Sequence, residues 1–96
     1  MMKYNNYTQK KLERLFNELL YTIRFEKGNF QSGYCLVENK KIIVVNRFFD
    51  TEAKIHCLID ILMRIEVQED ILEPKSLEFY QKIKKEAENL AEVEAK

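Results

Sequence analysis

The stretch that most constrains this chain is Lys41 to Asn46, where Ile42, Ile43, Val44 and Val45 are β-branched without interruption. Successive strand residues point to opposite faces, so this strand is apolar on both, and neither face can lie wholly in water. A few residues on, about Thr51 to Glu66, the apolar residues Ile55, Leu58, Ile59, Ile61, Leu62, Met63 and Ile65 adopt helical spacing and spread over more than half the circumference. A helix of that kind has neighbours on two sides. Its polar remainder is a narrow stripe of Glu52, His56, Asp60 and Arg64, and Asp50 or Thr51 can cap its start. A core built from these two segments is the premise for everything else in the chain.

The flanks fill in the rest. Leu12, Leu15, Phe16, Leu19 and Leu20 recur at i, i+3, i+4, i+7 and i+8, which predicts an amphipathic helix from about Tyr7 to Leu20 capped by Asn6 or Thr8. The period then drops to two at Tyr21, Ile23 and Phe25. Lys27-Gly28-Asn29 and Glu38-Asn39-Lys40 are turn signals on either side of a second strand, about Gln31 to Val37. Two short connections in succession predict an antiparallel meander. In a meander the Lys41–Asn46 strand is an edge, and an apolar edge has to be covered by the chain's own helices or by a second copy. Pro74 stops helix before it, and Ser76 can cap a last helix through Leu77, Tyr80, Ile83, Ala87 and Leu90. The expected fold is therefore α+β, a three-stranded antiparallel meander with helices in the order α-β-β-β-α-α. The 96 residues form a single domain, 1–96, with residues 91–96 frayed.

Sixteen Lys and Arg balance sixteen Asp and Glu, which supplies no cation excess for phosphate neutralisation and argues against a nucleic-acid partner. No apolar run approaches the roughly 20 residues of a membrane span. Met1 to Asn6 is polar and lacks a signal-peptide core, so the expected localisation is cytoplasmic and no membrane partner is expected. Cys35 and Cys57 are then expected to stay reduced. A chain this short buries a limited share of its surface, which favours a homo-oligomer.

Chemistry-bearing residues are few. His56 and Cys57 are neighbours in sequence and diverge on a helix, so a metal would need Cys35 to approach from the sheet, without the usual ligand spacing. Neither a metal nor another cofactor is expected. Thiol catalysis with His56 as base needs a thiol of lowered pKa, which nothing local provides. The plainer reading places both cysteines among apolar neighbours and leaves His56 between Glu52 and Asp60 on its helix. The most distinctive segment runs from Glu26 to Cys35 and holds both glycines of the chain. Its plain reading is hairpin geometry with Phe30 and Tyr34 on the core. Its functional reading is a recognition surface made of Arg24, Lys27, Asn29, Phe30, Ser32, Tyr34 and Arg47, since aromatics and arginine dominate interface energies. A third arrangement, Tyr21, Phe30 and Tyr34 with Arg24 and Arg47, has the residue types that stack single-stranded bases.

At E-K-G-N-F-x-S-G-Y-C from Glu26 to Cys35, and at K-K-I-I-V-V-N from Lys40 to Asn46, the chain resembles a group of short conserved bacterial proteins of unknown function. The resemblance spans about Leu12 to Ile65 and implies no assigned activity. Ile43-Val44-Val45-Asn46 leading into a helix is also similar to the compact core of small zinc metallopeptidases. In that alignment Ile59-Asp60-Ile61-Leu62-Met63 stands where H-E-x-x-H would be, so both ligating positions are apolar and Asp60 alone keeps an acidic side chain. The second resemblance implies a scaffold without its metal. Together these readings describe a protein-interaction or self-associating module without catalysis. The alternatives are a small-ligand or thiol-dependent site around Cys35, His56 and Asp60, and single-stranded nucleic-acid binding.

Overall fold

The computed structural model describes residues 3–27 and 34–95, with side chains through Glu88. Among them the order is α1 (Asn6–Glu18), β1 (Thr22–Glu26), β2 (Tyr34–Val37), β3 (Ile42–Asn46), α2 (Thr51–Arg64) and α3 (Pro74–Ala95), with short 3-10 turns at Glu38–Lys40 and Glu69–Ile71. The predicted Lys27-Gly28-Asn29 turn and the start of the second strand lie largely outside the described residues.

The sheet corrects the expected meander. Its spatial order is β1-β3-β2, with β1 parallel to β3 and β2 antiparallel to it. The Glu38–Lys40 turn does join an antiparallel pair, helped by Lys41 in the left-handed region at φ 53°. However, β1 and β2 are not partners, because β3 lies between them. The physical reason is the one that made β3 conspicuous: a strand apolar on both faces is best placed at the centre, where both of its edges are hydrogen-bonded. Among the described residues β3 is therefore not an edge, and the edges are β1 and β2.

Register divides the sheet into two faces. Ile23 and Phe25 of β1, Ile43 and Val45 of β3, and Tyr34 and Leu36 of β2 are aligned laterally on the helix-facing side. Ile43 and Val45 are fully buried there, against Leu12, Leu15 and Phe16 of α1, Ile55, Leu58, Ile61 and Leu62 of α2, and Ile83 of α3. Thus α1 packs on α2, α3 and β1, while α2 lies over β3.

Helix starts follow from capping chemistry. Asn5, not Asn6 or Thr8, caps α1, its Oδ1 accepting from the Thr8 N–H at 3.0 Å. Asp50 caps α2 by accepting from the Ala53 N–H at 2.8 Å. For α3 the expected Ser76 cap is replaced: Pro74 opens the helix, where a missing N–H is harmless. The acceptor comes from another element, Glu18 of α1, which receives the Glu73 N–H at 2.8 Å and the buried Ser76 hydroxyl at 2.6 Å. Periodicity locates helix interiors but does not identify a cap supplied 58 residues away.

Candidate functional site

The outer face of the sheet is the first surface of interest. By register it carries Thr22, Arg24 and Glu26 from β1, Ile42, Val44 and Asn46 from β3, and Cys35 and Val37 from β2. Val37, Ile42 and Val44 are half-buried, and none of the three belongs to the core cluster or packs against it. Cys35 beside them is exposed. The helices of the described residues all lie on the opposite face, so this apolar strip in mid-sheet has no helix over it among those residues. Burying β3 on one face only is less than the sequence led us to expect.

Several residues expected to form a recognition surface stand at one end of this sheet. Lys27 follows β1, Arg47 follows β3, and Tyr34 opens β2 opposite Val45, so all three stand where the parallel pair ends. The Arg47 N–H donates to the Glu26 carbonyl at 3.1 Å, extending the β1–β3 ladder by one bond. Arg24 lies on the outer face, opposite Val44. Asn29, Phe30 and Ser32 lie outside the described residues. Sequence reading missed Phe48, a ring 66% exposed with the Arg47 guanidinium 5.2 Å from its centroid. The signal was present in Arg47-Phe48-Phe49, but nothing in it said that Phe48 points outward while Phe49 packs against the core.

Tyr34 is turned the other way, into a polar cluster on the helix side. Its hydroxyl donates to Asp60 Oδ2 at 2.6 Å, and Asp60 also pairs with Arg64 Nε at 3.4 Å. The bond to Asp60, then burial, holds the Tyr34 phenol above its ordinary pKa. Nearby, burial first and the Asp60 charge second push the Cys57 thiol up, away from the thiolate that nucleophilic chemistry requires. Cys35 points to the outer face and Cys57 into the core, so the two thiols do not converge with His56. His56 sits 4.0 Å from Glu52 and edge-on to the Tyr4 ring at 4.7 Å, with Asp60 committed elsewhere. Among the described residues no cluster of three His, Cys, Asp or Glu could hold a metal ion.

The base-stacking arrangement also needs correction. Tyr21 is buried, edge-on to Phe16 at 6.1 Å, and is not presented to solvent for stacking.

A second concavity, not anticipated, lies between α1 and the start of α3. It has a volume of about 340 Å³ and is lined by Tyr7, Lys10, Lys11, Arg14, Lys75, Ser76 and Phe79. Lys10, Lys11 and Arg14 stand close together on the polar side of α1, which the sequence shows. Their meeting with Lys75 depends on how α3 docks.

Fold and surfaces together define a small mixed α+β domain, with helices on one side of a three-stranded sheet and an apolar strip on the other. No family model, curated protein or solved structure matches the chain. No helix among the described residues is long and apolar enough to cross a membrane.

Proposed function

We propose that this chain is a protein-interaction module without catalysis that pairs with a second copy of itself through the outer face of its sheet. The observation that carries the reading is the apolar strip Val37, Ile42 and Val44, which lies outside the core with no helix over it among the described residues. A two-fold pairing sets the same strip against itself. Arg24 and Glu26, of opposite sign on the same strand face, give the rim a self-complementary charge pair. Arg47 and Phe48 at the sheet end extend the contact with residue types that anchor interfaces.

Light scattering over about a hundredfold range of protein concentration tests this. The expected result is a dimer that Val44→Lys converts to monomer, while at concentrations low enough for the wild type itself to be monomeric the two chains differ in stability by no more than about 1 kcal/mol, because Val44 leaves the helix-facing core untouched. A monomer at every concentration overturns the proposal. So does a dimer that Val44→Lys leaves intact.

A further inference from the structure

We infer that the cleft between α1 and the start of α3 binds a nucleotide, a phosphate group carried on a flat heterocycle. In a chain whose charges cancel, four cations, Lys10, Lys11, Arg14 and Lys75, line one concavity, and none of its lining residues among the described ones is acidic. Two carboxylates contact its lining residues. Glu73 takes Arg14 at 2.6 Å, and Glu18 takes Arg14 at 3.4 Å together with the two donors at the α3 start. Arg14 and its two carboxylates together carry a single net negative charge, whereas Lys10, Lys11 and Lys75 have no ion pair among the described residues. The net double positive charge left around the cleft favours a doubly charged phosphate over a single carboxylate.

One of these cations is held in place before any ligand arrives. The Lys11 ammonium lies 5.0 Å from the Tyr7 ring centroid and 4.8 Å from that of Phe79. Two ring quadrupoles restrain it, so less conformational freedom is lost on binding. Phe79 is buried and forms the floor, while Tyr7, 69% exposed, stands at the rim with a ring surface able to stack on a heterocycle. A volume of about 340 Å³ falls at the small end of ligand sites, larger than a bare anion needs. A polymer would require a basic track leading away from the cleft, and the balanced charge of the chain argues for a single nucleotide instead. The outer sheet face has no part in this site, so the two proposals stand or fall separately.

The test is a calorimetric and NMR titration of the full chain with each of four nucleoside monophosphates, and separately with adenosine, inorganic phosphate, an oligoglutamate peptide and a single-stranded oligonucleotide. The expected result is that at least one nucleoside monophosphate binds about tenfold tighter than adenosine or phosphate alone. Resonances of Tyr7, Lys11, Lys75 and Phe79 should shift together. The double variant Lys10→Gln with Lys75→Gln, at two exposed positions, should weaken that nucleotide about tenfold with the melting transition unchanged. Tyr7→Ser should weaken the nucleotide and leave phosphate as it was. Nucleotides no tighter than phosphate, shifts located elsewhere, or tighter binding of the peptide or the oligonucleotide would each overturn the assignment.

Discussion

Leu20 occupies a backbone position that suits glycine. At φ 69° it is the left-handed residue after the C-cap of α1. Its N–H returns to the Asn17 carbonyl at 3.0 Å and the Tyr21 N–H to Phe16 at 2.9 Å, the paired bonds of a Schellman ending, with the Phe16 and Tyr21 rings supplying the apolar contact across it. A side chain in this region is disfavoured by about 1–2 kcal/mol. Leu20 itself is 68% exposed and buries little to offset that. Leu20→Gly should therefore stabilise the fold by up to about 1 kcal/mol, once the greater freedom of unfolded glycine is subtracted, as read from urea denaturation. Glu18 works in the opposite sense. Burial disfavours its ionised form, but the Ser76 hydroxyl, the Glu73 N–H and Arg14 outweigh burial and hold the carboxyl below the ordinary range. A carboxyl with a depressed folded pKa stabilises fully above its unfolded value, near 4.5, and loses that contribution as pH falls through the folded one. Glu18→Gln should lower stability near neutrality by about 1 kcal/mol and flatten the decline that sets in as pH falls below about 4.5, with denaturant midpoints as the measure.

Among the elements, α2 carries the core. Ile55, Leu58 and Ile61 are fully buried, whereas Met63 on the same helix is 37% exposed. Leu58→Ala should lose about 2–5 kcal/mol, and Met63→Ala no more than about 1 kcal/mol, by chemical denaturation. The contrast shows what was legible beforehand. The helical spacing of Ile55, Leu58, Ile61 and Leu62, a cap at Asp50 or Thr51 and the polar stripe through His56 and Asp60 are local properties, and the sequence states them directly. Strand pairing is not local. Tyr21, Ile23 and Phe25 fix which face of β1 is buried, but not whether β1 lies beside β2 or β3. The unbroken apolar run of β3 did contain that answer, since a central strand is the place for such a run, and turn residues pointed to a meander instead. The candidate site divides in the same way. Arg47 and Lys27 were identified from residue type, while the side of the sheet that Tyr34 faces, the outward turn of Phe48 and the meeting of Lys75 with Lys10 and Lys11 all depend on packing between distant segments.

Viewed as a whole molecule, the chain has more apolar sheet than its three helices cover on one side. Small domains hold only about 5–15 kcal/mol against unfolding. A surface that is buried in the dimer and exposed in the unfolded chain ties stability to concentration by mass action. If the Val37, Ile42 and Val44 strip is where two copies meet, the thermal midpoint should rise as protein concentration increases, and the rise should vanish in Val44→Lys. Leu20→Gly, acting on α1 well away from that strip, should raise the midpoint by a similar amount at every concentration and leave the slope unchanged. Scanning calorimetry of the three chains at several concentrations separates the two effects. A wild-type midpoint independent of concentration would show that the strip contributes nothing to association, since a monomeric transition has no term in concentration.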